Sequence, residues 1–210
     1  MRIISGEYRG RRIRTTEGPG YRPATGKVRE SLFSMLESQG VDWGGTRVAD
    51  IFAGSGSLGI EALSRGATEA VFVEKAAHAA ALIRSNIEEL GVARQRYRIV
   101  KGDAARWLGG GGTGSFGLVF IDPPYGKDLF LPALRLLLDR NVLAREGLLC
   151  AEVEAGLAFD APPHPDLALL RDKLYGQTRI CIWRRNQSAS PSTPAPSTPS
   201  TTDSASTSFC

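Results

Sequence analysis

An α/β fold on a mostly parallel sheet of seven strands is what this sequence predicts. Three observations lead there. From residue 46 onward, apolar runs of strand length alternate with longer amphipathic segments, the pattern of strand–helix–strand units. The run FGLVFID (116–122) is almost uniformly apolar, as a central parallel strand covered on both faces must be. The last apolar segment, LALLRDKLYGQTRICIWRR (167–185), reads as two strands joined at Tyr175-Gly176, an antiparallel hairpin that closes the sheet.

The elements follow in order. TRVADIFA (46–53) reads as the first buried strand, with a helix through LGIEALSRG after it. EAVFVE (69–74) reads as the second strand. The helix from Ala76 ends near Gly91, a residue suited to the left-handed position after a last turn. YRIVKGD (97–103) is the third strand and 116–122 the fourth. LFLPALRLLLDRN is helical, with Pro132 early enough for the first turn, where a missing N–H costs little. GLLCAEVE (147–154) is the fifth strand. GGGGTGS (109–115) reads as a surface connection. It lacks a following helix or Lys-Ser/Thr pair, so it is not a Walker phosphate loop. Parallel strands joined through helices take right-handed crossovers.

A chain of 210 residues that is 42% hydrophobic can bury one substantial core. It has no apolar run of membrane-spanning length, and MRIISGEYRGRR is no signal peptide. A soluble cytoplasmic protein is expected. Cys150, Cys181 and Cys210 lie scattered, and with two histidines they form no metal-ligand pattern. No metal is expected, and Cys150 and Cys181 read as small apolar strand residues. From Gln187 the chain is nearly all Ser, Thr, Pro and Ala. Such a segment cannot offset its ordering entropy by burial, so 187–210 is expected to be a disordered tail. Residues 1–43 are expected to form a basic arm with a covering helix, and 44–186 the main domain.

The net charge is only +4, but residues 1–29 carry eight Arg and Lys against two Glu. That asymmetry suggests a polyanionic partner. A solvated basic face is the competing reading. The arm is dense in Arg, whose planar fork suits phosphate better than Lys does.

The stretch ADIFAGSGSLGIEAL (49–63) places Gly54, Gly56 and Gly59 directly after the first strand. In a doubly wound sheet, ligands bind beyond the carboxyl ends of the strands, and glycines there permit a tight turn and close backbone approach. Glu74, 20 residues after Gly54, ends the second strand, where a carboxylate can accept from ribose hydroxyls. A nicotinamide dinucleotide and S-adenosylmethionine both carry that ribose. Two residues favour the second. Asp50 lies inside the first strand, where a buried carboxylate needs polar partners and a dinucleotide site usually has an apolar residue. Asp103, after the third strand, is placed to accept from an adenine amino group. A strand-end carboxylate bonding nearby amides, and a helix N-cap, are the purely structural readings of the two.

The fourth strand ends in Asp122-Pro123-Pro124-Tyr125. Two prolines fix φ, remove two donors and force an extended rim. A turn without function is the plain reading, but the flanking carboxylate and aromatic ring speak against it. The pattern suits methyl transfer to an exocyclic amine. Asp122 and the carbonyl of Pro123 can accept its two N–H groups, and Tyr125 can stack on an unpaired base.

DIFAGSGSLGIEALSRGA, VFVEK, GDA and FIDPPY, with MRIISGEYRGRRI and RPATGKVRESLFSML, resemble the bacterial small-subunit (16S) rRNA guanine-N2 methyltransferases. The resemblance covers nearly all of residues 1–186, and YGQTRICIWRR resembles the family's closing hairpin. It implies a Rossmann-like class I methyltransferase fold using S-adenosylmethionine. It also implies that the partner is 16S rRNA, within the small ribosomal subunit or an assembly intermediate; the oligomeric state is open, with a monomer plausible. It further implies that Asp50, Ala53, Gly54, Ser55 and Gly56 wrap the methionine part of the cofactor. Glu74 would hold the ribose with Lys75 beside it, and Asp103 and Ala104 would contact adenine. Asp122, Pro123, Pro124 and Tyr125 would hold the target base. Arg22, Pro23 and Thr25 would border cofactor and substrate, while Lys27 and Arg29 face RNA; from the basic-arm reading, Arg9, Arg11 and Arg12 are also expected to contact RNA. Gly26-Lys27 stand where the family often has Asp-Arg, and Glu30 to Leu36 would be a short helix over the cofactor. A DNA adenine-N6 or cytosine-N4 methyltransferase would carry the same motif after its fourth strand. A non-catalytic RNA-binding assembly factor and a dehydrogenase are the remaining readings.

Overall fold

The computed structural model describes residues 1–15, 26–110, 114–157, 159 and 161–187. Its strands are β1 (Arg47–Ile51), β2 (Glu69–Glu74), β3 (Tyr97–Lys101), β4 (Phe116–Ile121), β5 (Leu143–Glu154), β6 (Leu167–Tyr175) and β7 (Thr178–Arg185). They form one sheet in the order β3-β2-β1-β4-β5-β7-β6. The pairs β1–β2, β2–β3, β1–β4 and β4–β5 are parallel, while β7 runs antiparallel to both β5 and β6. This is the expected seven-stranded sheet with its closing hairpin, which turns at Gly176 and Gln177. The order reverses between β1 and β4, so the loops after these two strands open into one crevice.

Helices α1 (Gly26–Ser38), α2 (Ser57–Arg65) and α3 (Ala77–Leu90) pack on one face, and α4 (Ala104–Gly109) and α5 (Phe130–Asp139) on the other. Strand alternation explains the division. Val48, Phe72, Leu118, Phe120 and Ile182 point toward α1 to α3, where Leu32, Phe33, Leu36, Ile60 and Ile83 meet them. Ala49, Ile51, Val73, Val119, Ile121 and Trp183 point toward α5, where Leu134 and Leu137 cover them. Gly59 is required here by packing, because a Cβ on it would lie 2.4 Å from the Phe72 ring.

Two local expectations are corrected and one is refined. β5 starts at Leu143 rather than 147, through a register shift against β4 between Phe116 and Leu118. The helix before β1 spans 26–38 rather than 30–36, and its apolar side lies on the sheet. The helix that an N-cap reading of Asp103 implies is the short α4, which Asp103 caps by accepting the Arg106 N–H at 3.2 Å.

The N-terminal segment is docked on the body. Residues 1–14 fold back on themselves through the Arg2–Arg12 bridge and lie on α2 and α3, burying Ile3, Tyr8 and Ile13. Glu61 of α2 is 1% exposed and accepts the Ile4 and Ser5 N–H groups at 2.8 and 3.0 Å. The Glu7 and Tyr8 N–H groups donate to the Ser64 carbonyl and hydroxyl. Gly6 sits at φ 83°, and a Cβ there would come within 1.8 Å of the Ser64 carbonyl oxygen. Buried amides left without acceptors are expensive. Glu61→Ala should therefore lower unfolding free energy by about 2–4 kcal/mol, read from the urea midpoint, with Glu61→Gln intermediate. An unchanged midpoint in the alanine variant would show that the segment docks without these bonds.

Candidate active site

After β1 the chain turns at once. Phe52 has φ 64°, a left-handed conformation that costs a residue with a bulky side chain about 1–3 kcal/mol. Gly54 (φ 55°) and Gly56 (φ 76°) continue the turn, and α2 starts at Ser57. Asp50, 2% exposed, points to the α2 face, where its Oδ2 accepts the Gly59 N–H at 3.0 Å. That donor is one of the first N–H groups of α2, which have no partner within the helix. Glu74 braces the other side of the loop. Its Oε2 accepts the Gly54 N–H at 2.8 Å, and its Oε1 the Ala76 N–H at 2.7 Å. Each oxygen keeps a lone pair for a further donor. Ala53 is buried and donates its N–H to Val73, and Ser55 is buried beside it. Lys75 and Asp103, both exposed, face each other at 3.5 Å. The Arg106 N–H, ahead of Lys75, holds Asp103 below the usual carboxylate range. Ala104 is buried at the first turn of α4.

The motif after β4 enters the same crevice. Asp122 donates its N–H to the Ile51 carbonyl at 3.3 Å, one step beyond the Ile51–Ile121 pair. Alternation then puts Asp122 on the face that carries Phe120 and Asp50. Pro123 is buried, while Pro124 and Tyr125 are exposed. The motif is tied to the far strands. Gly126 donates its N–H to Glu154, and the Tyr125 hydroxyl meets Thr178 Oγ1 at 2.8 Å.

Glu152, which sequence reasoning missed, completes the group. It lies two residues after Cys150 on the α1 face of β5, half-buried, and bonds Thr178. Burial, then the neighbouring Glu152 and Asp50 charges, push Asp122 well above the usual carboxylate range. Burial pushes Glu152 up to about 7. Burial, opposed by the Gly59 bond and aided by Glu74, pushes Asp50 up to about 7. Among the described residues no ion pair reaches Asp50, Asp122 or Glu152. A half-buried carboxylate group of this kind suits a ligand that is cationic and rich in N–H and O–H donors. The residues around it fit S-adenosylmethionine in that sense.

The basic residues divide. Arg9, Arg12 and Lys27 are exposed. Arg11 reaches the last carbonyls of α3, donating to Leu90 at 3.2 Å and to Glu89, a favourable place for a cation. Arg29, expected to face RNA, is 2% exposed and donates to the Arg2 carbonyl. Its guanidinium sits under the N-terminal segment, which corrects that expectation. Arg22, Pro23 and Thr25 lie outside the described residues, as do 111–113 of the glycine connection and 188–210 of the tail. Asn86, also missed, is 1% exposed and donates to Arg14 and Ser55 carbonyls at 2.9 and 3.4 Å. It ties the N-terminal segment to the glycine loop.

The family described as Conserved hypothetical protein 95 matches residues 1–184. Ribosomal RNA small subunit methyltransferase D of Escherichia coli (strain K12) is 36% identical over 185 residues, covering 88% of this chain and 90% of its own. The chain belongs to this family. The enzyme of the same name from Haemophilus influenzae is 32% identical, covering 84% of this chain and 89% of its own. The solved Escherichia coli protein yhhF, 33% identical, superposes with a TM-score of 0.78 over 89% of this chain and 98% of that one. The class I methyltransferase fold expected from the sequence is the fold of this family member. No described helix is long and apolar enough to cross a membrane, and the described residues hold no metal-ligand cluster.

The pH dependence of stability follows from Asp50. A carboxyl whose proton affinity rises on folding favours the folded state at low pH, and that contribution is lost as pH rises toward the folded value. Asp50→Asn keeps an acceptor for the Gly59 N–H and removes the buried charge. Its melting temperature should exceed that of the parent by several degrees at pH 8, and the gap should nearly close by pH 4, at the ordinary value of an aspartate. A lower melting temperature at pH 8 would mean that the ion is stabilising.

Proposed function

We propose that this protein transfers a methyl group from S-adenosylmethionine to the exocyclic N2 amine of a guanine in small-subunit (16S) rRNA. The observation that carries the reading is the placement of Asp122 beside the glycine loop, one residue past the β1–β4 pairing. The names of the Escherichia coli and Haemophilus influenzae relatives support ribosomal RNA as the substrate class. A ribosomal particle or assembly intermediate is the proposed form of that substrate, and the cytoplasm the proposed compartment.

S-adenosylmethionine supplies an electrophilic methyl group on a sulfonium centre. Asp50, Ala53, Gly54, Ser55 and Gly56 would hold its methionine part, Glu74 with Lys75 the ribose, and Asp103 with Ala104 the adenine. The rest is the work of this chain's residues on the base. An exocyclic amine is a poor nucleophile because its lone pair is delocalised into the ring. Asp122 and the Pro123 carbonyl accept its two N–H groups and draw the nitrogen toward tetrahedral geometry. The lone pair is then aimed out of the ring plane. Tyr125, 40% exposed, offers a face for stacking, worth ~1–3 kcal/mol in single-strand recognition. The base has to leave its stack to enter. As the new N–C bond forms and the S–C bond breaks, nitrogen carries one proton too many. The ionised member of the Asp122–Glu152 pair is the acceptor at hand. Arg9, Arg12 and Lys27 would meet the RNA backbone, whereas Arg11 is committed to the end of α3.

Asp122→Ala should reduce methyl incorporation into unmodified small-subunit particles by at least about a hundredfold. Calorimetry should find its S-adenosylmethionine affinity little changed. Methylation of duplex DNA with no RNA activity would replace the reading by a DNA methyltransferase, and tight NADH binding would replace it by a dehydrogenase. Because ionisation of Glu152, beside Asp50 and Asp122, is completed only above about 7, kcat should rise about tenfold between pH 6 and pH 8. A flat profile would remove the pair from proton uptake.

Arg9→Ala with Arg12→Ala should weaken RNA binding and reduce the slope of log affinity against log salt by about two, one for each phosphate no longer neutralised. An unchanged slope would place the RNA interface elsewhere.

A further inference from the structure

We propose that Thr178 is a positioning residue of the transfer site, holding the Tyr125 ring in the orientation that receives the target base. The inference rests on the base-methylation reading above. Proline rigidity ends at Pro124. Tyr125 is followed by Gly126, at φ 68°, so the backbone alone leaves the ring free to swing. Two contacts from the far side of the sheet remove that freedom. The Gly126 N–H donates to Glu154, and the Tyr125 hydroxyl lies 2.8 Å from Thr178 Oγ1.

Thr178 is suited to the task. It is the first residue of β7, paired with Glu154 on one side and Tyr175 on the other. Its place is therefore set by two ladders, and its branched side chain has few rotamers. Its hydroxyl has one proton to give. It meets the Tyr125 hydroxyl at 2.8 Å, with either oxygen able to donate. Strand register places Thr178 on the same face of the sheet as Glu152 and Glu154. Both ends of the motif are thereby held by the strands beyond β4. An exposed hydrogen bond of this kind adds little to folding, while the ring it fixes keeps a face open to a ligand.

The test compares the full-length wild type with Thr178→Val, Thr178→Ser, Tyr125→Phe and the Thr178→Val/Tyr125→Phe double variant. Methyl transfer to unmodified small-subunit particles is measured under kcat/KM conditions for RNA, with S-adenosylmethionine affinity by calorimetry and melting temperature alongside. Thr178→Val should lose about tenfold in kcat/KM for RNA, the factor that one ordinary hydrogen bond is worth. Cofactor affinity should be unchanged, and serine should restore most of the activity. Tyr125→Phe should lose a similar factor, and the double variant no more than the worse single variant, because both remove the same bond. Wild-type kcat/KM in Thr178→Val, or losses that multiply in the double variant, would overturn the proposal. A Thr178→Val variant that melts early and is not rescued by serine would also overturn it, in favour of a structural role. No transfer to RNA by the wild type would overturn the function itself, whereas transfer with an unimpaired Thr178→Val overturns only this inference.

Discussion

The parallel pairing of β1 with β4 is the constraint on which the site depends. Neither the glycine loop nor the Asp-Pro-Pro-Tyr rim is a site alone. One is a turn between strand and helix, the other a stiff strand end. The Asp122 N–H bonded to the Ile51 carbonyl sets the rim at the level where the glycine turn begins. Because side chains alternate along a strand, this register also decides that Asp122 shares a face with Asp50. A slip of one residue would send it to the α5 side. The same parity carries Glu152, Glu154 and Thr178 to that face from β5 and β7. The edge hairpin is therefore part of the site, although it lies two strands from the switch point.

The N-terminal segment shows how a charge count misleads about location. Eight cations in 29 residues read as an arm for a polyanion. Several of them are occupied within the fold. Arg11 caps α3, Arg14 pairs with Glu89, and Arg29 is buried under the chain start. What remains outward is a smaller set that includes Arg9, Arg12 and Lys27. The docked segment presents Arg9 and Arg12 on a fixed surface near α2 and α3, so the entropy of ordering an arm is already met by folding, and Lys27 stands on α1. Asn86 then links that surface to the Ser55 carbonyl of the glycine loop.

The sheet, the glycine turn and the rim were legible because each is encoded locally. Continuous apolar runs mark β2 and β4, Gly91 marks the end of α3 at φ 76°, and two adjacent prolines stiffen the rim wherever they fall. The residues that were missed act across the fold. Glu152 sits in LLCAEVE, where only the β5–β4 register reveals that it faces Asp122. Thr178 follows a hairpin turn and looks like ordinary strand sequence. Phe52 adopts a left-handed φ that no local signal announces, since glycine is the usual occupant of that region. Arg29 was misplaced for a related reason: sequence records a charge, and only packing shows whether that charge meets water or a carbonyl.

Three carboxyl groups with raised proton affinity on one face would be a poor arrangement for stability alone. Each resists ionisation of its neighbours, and as pH rises the folded state loses the advantage of binding their protons. Hydrophobic or amide side chains there would make a more stable sheet. The arrangement gains sense when a cation and several N–H donors occupy the crevice, because these favour the ionised forms that burial disfavours. Burial raises the proton affinity of both Asp122 and Glu152. A donor-rich base and a cationic methyl donor would each lower it, leaving an acceptor where the amine must lose its own proton. Thr178, on the same face as that pair, contacts the Tyr125 hydroxyl. Recognition and proton uptake would thus be set by one group of side chains, built from β1, β4, β5 and β7 and aligned by strand register.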